Sequence, residues 1–224
     1  MENLRYGDHV GEDGVWAQLL NRPSRPGLHP VLFLDRDGVL VEEVHYLHKV
    51  EEMRLSPGAA ATIRHANRAG VPVVVVTNQA GIARGLYGWP EFEAVQEAML
   101  DALDAFDAFV NAVIACPFHE NGVPPWNLEN HPDRKPNPGM LRRAAEIIRI
   151  DMGRSWIVGD RAGDMGAGKN AKIAGGMHVL DGHGSADGER AAALALADST
   201  FQVVGGDGIA DAVSRIPLFD PTRN

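Results

Sequence analysis

Four apolar residues, Val31 to Leu34, run into two carboxylates, Asp35 and Asp37, and Gly38 then lets the chain turn away. A short apolar run closed by a turn signal reads as a buried strand more readily than as a helix. The pattern recurs along the chain. Val71 to Gln79 is β-branched and ends on Thr77 and Asn78, Ala112 to Ala115 repeats it, and Trp156 to Val158 stops at Gly159 and Asp160. Shorter strands are expected at Met177 to Leu180 and Phe201 to Val204. Helical periods fill the gaps. One helix should start at Ser56-Pro57 and end before Gly70, with Ile63 and Ala66 inward. A second opens at Pro90, where Phe92, Val95, Met99, Leu103 and Phe106 recur at three and four residues. Its acids Glu93, Glu97, Asp101, Asp104 and Asp107 read as a solvated face. Further helices are expected from Pro138 (Leu141, Ala144, Ile147 and Ile148 on one side), from about Asp164, and near Gly208 to Arg215. Such alternation predicts an α/β fold: a three-layer, Rossmann-like parallel sheet with helices on both faces. Ligands of such sheets sit beyond the carboxyl ends of the strands, where Asp35, Thr77 and Asp160 each end a different strand.

At 224 residues and 45% hydrophobic content the chain can form a full core, read as one domain over residues 30–224. Residues 1–29 are polar and read as an extension in which only Val15 to Leu20 resembles a short helix. A net charge of −9 with scattered Lys and Arg argues against a nucleic-acid partner. The longest apolar run, Val73 to Val76, is too short to span a membrane, so the cytoplasm is the expected compartment. A single cysteine, Cys116, rules out an internal disulfide. The partner is then a small molecule; self-association is left open, with a monomer favoured. Neither the interval from Gly38 to Thr77 nor that from Gln79 to Lys135 holds a large cap domain.

A lone D-x-D is usually a strand-ending turn. Here a third acid arrives from a later strand, and together the three make an all-oxygen site suited to Mg²⁺, which binds few carboxylates and keeps waters. Thr77 and Asn78 offer a hydroxyl, an amide and backbone N–H groups to phosphate oxygens, and Lys135 offers a point charge. This is equipment for phosphoryl transfer. Residues 163–170, GDMGAGKN, approach the spacing of a nucleotide-binding P-loop, but Asn170 stands where a metal-binding hydroxyl is needed. Close packing of a helix on the sheet explains those glycines better.

The elements DRDGV, TNQ, RKPNPG and VGDRAGD, in this order, resemble the four motifs of the haloacid dehalogenase (HAD) superfamily of phosphatases. More narrowly, TNQAGIARGLYG, CPFH and RKPNPGM resemble the branch that contains heptose bisphosphate and histidinol phosphate phosphatases. The resemblance runs from about Val31 to Leu180. It implies a HAD-like fold and a Mg²⁺-dependent phosphatase of a small phosphorylated metabolite, a sugar bisphosphate or an amino-alcohol phosphate. It further implies that Asp35 is a nucleophile forming an aspartyl-phosphate and that Asp37 is the acid and base. The metal would be held by the Asp35 carboxylate, the Asp37 backbone carbonyl and Asp160. Thr77, Asn78 and Gln79 would bind substrate phosphate, Lys135 would offset its charge, and Arg134 would recognise the rest of the substrate. Arg134 also reads as a surface cation, and Asp164 as a helix cap. The branch carries a zinc loop whose four positions here read Cys116, Phe118, His131 and Asp133. With His119 replacing Phe118, the set Cys116, His119, His131 and Asp133 is a candidate for structural Zn²⁺; otherwise prolines and Trp126 hold the loop. Residues 42–48 fall where the family has a flap, making Tyr46 and His48 candidate substrate contacts. A catalytically idle phosphate-binding scaffold is the alternative, although Asp35, Asp37 and Lys135 are all retained.

Overall fold

The apolar runs become strands of one seven-stranded sheet in a computed structural model that describes residues 9–23 and 26–219. The strands are β1 (Trp16–Leu19), β2 (Leu32–Leu34), β3 (Val73–Asn78), β4 (Ala112–Cys116), β5 (Trp156–Gly159), β6 (Gly175–His178) and β7 (Gln202–Gly205). Their spatial order is β1-β4-β3-β2-β5-β6-β7; all pairs are parallel except β1 with β4. The helices are α1 (Ala59–Ala69), α2 (Ala80–Ala83), α3 (Trp89–Asp104), α4 (Gly139–Ile147), α5 (Ala162–Ala171), α6 (Glu189–Leu194) and α7 (Ala212–Arg215).

Alternation along each strand sends side chains to two cores. Leu32, Leu34, Val73, Val75 and Val158 pack with residues of α1, α3 and α7 on one face, while Phe33, Val74, Val76 and Ile157 pack with α4, α5 and α6 on the other. Each such buried side chain contributes about 1.5–3 kcal/mol. The sheet winds outward in both directions from β2, whose Leu34 pairs with Val75 on one side and Val158 on the other. Strand order therefore reverses beside β2, and the crevice at that reversal is where open α/β sheets bind ligands.

Several expectations change. Val15 to Leu20 is not helical: Trp16–Leu19 runs antiparallel to β4, with Trp16 opposite Ala115. Its indole packs against Trp89 and Phe92, and a run this short has no period that separates strand from helix. Helix α1 begins two residues after Pro57. Ser56-Pro57 forms a turn whose Ser56 carbonyl accepts from Ala59 N–H, and the N-cap is Gly58 at φ 83°. In α3, Glu93 is buried instead of solvated, and Phe106 lies past the helix end and is exposed. Strand β6 begins and ends two residues earlier than expected, and α2 and α6 have too few residues to show a period. The glycines of α5 pack closely: a Cβ on Gly168 would meet Ile157 at 2.9 Å, and one on Gly166 would meet Pro136 at 2.8 Å. No helix of the described residues is long and apolar enough to cross a membrane.

Candidate active site

Lys135 stands at the centre of the crevice, its side chain only 3% exposed. Its ammonium lies 2.9 Å from Asp35 Oδ1 and 2.6 Å from Asp164 Oδ1, and donates to the Val76 carbonyl at 2.8 Å. All three of its donors are thus engaged. Burial opposes the charge, but Asp164 and Asp35 overcome that penalty and hold Lys135 well above the ordinary lysine range. Asn78 fixes the lysine backbone from β3: its Oδ1 accepts Lys135 N–H at 3.1 Å, and its Nδ2 donates to the Lys135 carbonyl at 3.2 Å. The side chain expected to reach phosphate thus also places the lysine, and it keeps one N–H toward the cavity that it lines.

Asp35, Asp160 and Asp164 converge so that one ligand oxygen from each lies within 4.8 Å of the others; among the described residues no other His, Cys, Asp or Glu group of three does so. Burial raises Asp35 to about 7, against Lys135 and helped by Asp164 and Asp37. Asp160 rises to about 8, through burial first and then repulsion from Asp35 and Asp164. Three acids around one lysine leave excess negative charge out of water, and a cation is the group that relieves it. The oxygens are also crowded into place. A Cβ on Gly38 (φ 77°) or Gly182 (φ 57°) would come within 2.6 or 2.5 Å of Asp160 Oδ2, and His183 N–H donates to that oxygen at 2.7 Å. The donor set fits a hard divalent ion.

Asp164, which closes the VGDRAGD motif and also reads as a helix cap, does both jobs: its Oδ2 accepts Arg161 N–H at 3.0 Å while its other oxygen binds Lys135. The signal was its place four residues beyond Asp160. Asp37 lines the same cavity, but its carboxylate is outside the convergent group and faces Arg36 Nε and Nη2 at 3.0–3.2 Å and Gln79 Nε2 at 3.0 Å. Thr77 Oγ1 makes a longer approach to Asp37 Oδ2, 3.4 Å. Arg36 is itself buried, with its guanidinium 5.1 Å above the Phe92 ring.

A cavity of about 410 Å³ opens from these groups. Arg84, Arg134 and Arg161 line it, and among the described residues none has a carboxylate within ion-pairing distance. Arg134 is half-buried and donates to the Phe118 carbonyl at 2.8 Å. From the flap, Tyr46 reaches the cavity whereas His48 stacks on Tyr87.

The four zinc candidates are not brought together. Cys116 Sγ lies 3.8 Å from His131 Nδ1, but that nitrogen already accepts Asp133 N–H at 3.1 Å, and Phe118 stacks on the His131 ring at 3.9 Å. Asp133 pairs with Arg143, which also binds Asp13. His119, one position late in the chain, lines the cavity instead. Burial pushes the Cys116 thiol up to about 12, away from the thiolate a metal needs. Lys169, the lysine of the P-loop-like stretch, pairs with Asp198 and caps the Leu196 carbonyl, so it serves the fold.

Comparison with known proteins places this geometry. The family model of haloacid dehalogenase-like hydrolases matches residues 10–172. A D-glycero-β-D-manno-heptose-1,7-bisphosphate 7-phosphatase of Mesorhizobium japonicum is 47% identical over 171 residues, covering 76% of this chain and 78% of that protein. The protein of that name from Escherichia coli K12 is 36% identical over 151 residues, 67% of this chain and 78% of its own. Among solved structures, a D,D-heptose 1,7-bisphosphate phosphatase from B. bronchiseptica in complex with magnesium and phosphate superposes with TM-score 0.68 at 28% identity, covering 83% of this chain and 97% of that one. Four motifs meeting at the strand ends and matches of this extent lead to one assignment: the chain belongs to the haloacid dehalogenase-like hydrolases and is a phosphatase of phosphoric monoesters.

Proposed function

We propose that the chain hydrolyses a sugar bisphosphate, heptose 1,7-bisphosphate first among them, through an aspartyl-phosphate on Asp35. The observation that carries the substrate reading is that one cavity holds two separate places for an anion. The first is the lysine-centred strand-end site; the second is the group of Arg84, Arg134 and Arg161 lining the same cavity, which lie close enough to repel one another and, among the described residues, make no ion pair. A monophosphate fills the first and leaves the second idle. The relatives named above act on a substrate with two phosphates, which supports the same reading.

In this mechanism an Asp35 carboxylate oxygen attacks phosphorus as the bond to the sugar oxygen breaks, and Asp37 gives that oxygen a proton. Asp37, now a carboxylate, takes a proton from the water that attacks the aspartyl-phosphate, releasing phosphate and restoring Asp35. Lys135 holds Asp35 in place and offsets charge gathered on the phosphoryl oxygens. Asp35, Asp160 and Asp164 are the side chains that would hold Mg²⁺, which when bound supplies further stabilisation of that charge. Placed at the rim, Arg134 and Arg84 orient the second phosphate, Arg134 with its guanidinium steadied by the Phe118 carbonyl.

The test is phosphate release, with Mg²⁺ and with a chelator, from both anomers of heptose 1,7-bisphosphate, from heptose 7-phosphate and from histidinol phosphate. The expected result is metal-dependent release with kcat/KM for a bisphosphate at least roughly tenfold above that for the monophosphates, the scale of one charged contact. Equal rates on bisphosphate and monophosphates would overturn the two-anion reading, and a preference for histidinol phosphate would replace the sugar.

A further inference from the structure

The amide of Gln79 has two donor and two acceptor positions, and all four are filled. Nε2 donates to Asp37 Oδ2 at 3.0 Å and to Thr77 Oγ1 at 2.8 Å, while Oε1 accepts from Tyr87 Oη at 2.6 Å and from Arg36 Nη2 at 3.2 Å. The amide cannot be turned over, because a flip would set its NH₂ against the guanidinium and its oxygen against the Asp37 carboxylate. Gln79 is 2% exposed, so water does not replace a lost partner. Having no free position, this side chain has nothing to offer a substrate phosphate, contrary to the role the TNQ motif suggested. What it does hold is Asp37. Arg36 grips the carboxylate from one side through Nε and Nη2, and Gln79 anchors Oδ2. Without Gln79 the carboxylate could pivot on the guanidinium.

The chain of contacts continues outward. The Tyr87 ring lies parallel to the His48 ring, at 5.4 Å and 4°. His48 accepts no slack from its own segment, since its Nδ1 lies 2.8 Å from the Tyr46 carbonyl. His45 and Tyr46 both line the cavity and both have left-handed backbones, φ 53° and 63°. Two consecutive non-glycine residues in that region persist only where surrounding contacts hold them, and Arg84 over the Tyr46 ring at 5.8 Å is one such contact.

We infer that Gln79 is a positioning residue for Asp37, and that Tyr87 and His48 tie its position to the flap over the cavity. The inference rests on the acid and base role of Asp37 proposed above. It assigns Gln79 to turnover and not to binding, and it predicts that flap contacts with substrate are felt at the carboxylate that moves the proton.

The test uses the Mg²⁺-loaded enzyme and two esters, a sugar phosphate and 4-nitrophenyl phosphate, whose leaving group departs without a proton. Gln79→Met and Tyr87→Phe are each made alone and with Asp37→Asn. For the sugar phosphate, kcat is expected to fall about tenfold in Gln79→Met and about threefold in Tyr87→Phe, part of the 10²–10⁴-fold that acid–base catalysis supplies. KM should stay within about twofold, the pH profile of kcat should shift, and in single-turnover phosphorylation the aryl ester should lose less. In the Asp37→Asn background, assayed on the aryl ester, neither substitution should slow turnover further. Tyr87→Phe removes one oxygen and keeps the ring stack, so the test stands even if Gln79→Met fails to fold. A rise in KM with kcat unchanged would overturn the inference in favour of substrate binding. Equal losses on both esters that persist with Asp37→Asn would overturn it in favour of a purely structural role. If Asp37→Asn fails to discriminate between the esters in single-turnover phosphorylation, which leaves out the base step common to both, the fault lies in the acid–base reading of Asp37. If it does discriminate and the Gln79 and Tyr87 variants do not, the positioning role alone is wrong.

Discussion

Two groups of candidate metal-ligating side chains, one of acids alone and one of acid, histidine and sulfur, lie toward the carboxyl end of the same sheet on strands separated by β3, and they are in opposite electrostatic states. At β2 and β5, Asp35, Asp160 and Asp164 converge on Lys135 with more negative charge than one lysine can offset, and two of the acids are pushed up to about 7 and 8. Beyond β4, Asp133 is matched by Arg143, His131 Nδ1 already has its N–H donor, and Cys116 is a buried neutral thiol. The first group is short of a cation; the second has its partners. Residue types alone would have made both metal sites. What separates them is whether ligand atoms converge with charge left over.

The comparison can be broken most severely at its acidic side. Asp35→Asn should lower turnover by roughly 10⁴-fold or more while the fold persists, the scale of losing a residue that acts at the reacting atoms. Appreciable residual activity in steady-state assays would remove Asp35 as nucleophile. Next in size, Asp160→Asn should weaken Mg²⁺ binding by about a hundredfold, read by calorimetry, whereas Asp133→Asn should leave it within about twofold. The wild-type affinity should itself depend on pH. With Asp35 near 7 and Asp160 near 8, both hold protons at low pH that an incoming ion must displace, so affinity falls as pH drops below about 8 and binding releases protons. An affinity flat from about pH 6 to 9 would contradict this.

On the other side, Arg143→Met strands Asp133 and should cost about 1–2 kcal/mol in denaturant unfolding. That is less than the 3–5 of a fully buried pair, because the Arg143 side chain keeps 26% of its surface in solvent. The smallest effect sharpens the contrast: added Zn²⁺ or a zinc-selective chelator should shift Tm by less than about 1 °C, while Mg²⁺ raises it. A zinc-dependent Tm would mean that the Cys116 loop gathers a metal after all.

Much of this was readable from the chain. The strand cores of β2 to β5 and their polar ends follow from apolar runs that stop on Asp35, Thr77 and Asp160, because a buried strand must be apolar and its end need not be. The periods of α1, α3 and α4 were visible for the same reason. Trp16–Leu19 was not, since an edge strand four residues long is specified by its partner β4 and not by its own pattern. Glu93 looked like its exposed neighbours, and only the packing of α3 buries it. Within the site, Lys135 and Asp160 were found by motif. The contacts of Asn78 with the Lys135 backbone and the four partners of Gln79 were not legible, because an amide has two donors and two acceptors and its partners lie elsewhere in sequence.

The sequence by itself therefore determined the α/β architecture, the end of the sheet where the polar residues collect and the acids and lysine that gather there. These rest on local pattern: strand period, strand-end polarity and residue type. Only the tertiary structure decided which polar groups are spent and which are free. Asn78 spends one donor and one acceptor on the Lys135 backbone and Gln79 is filled by Asp37, Thr77, Tyr87 and Arg36, while among the described residues three arginines lining the cavity make no ion pair. Hydrogen-bond and charge balance is a property of neighbours in space, and chain order does not record it.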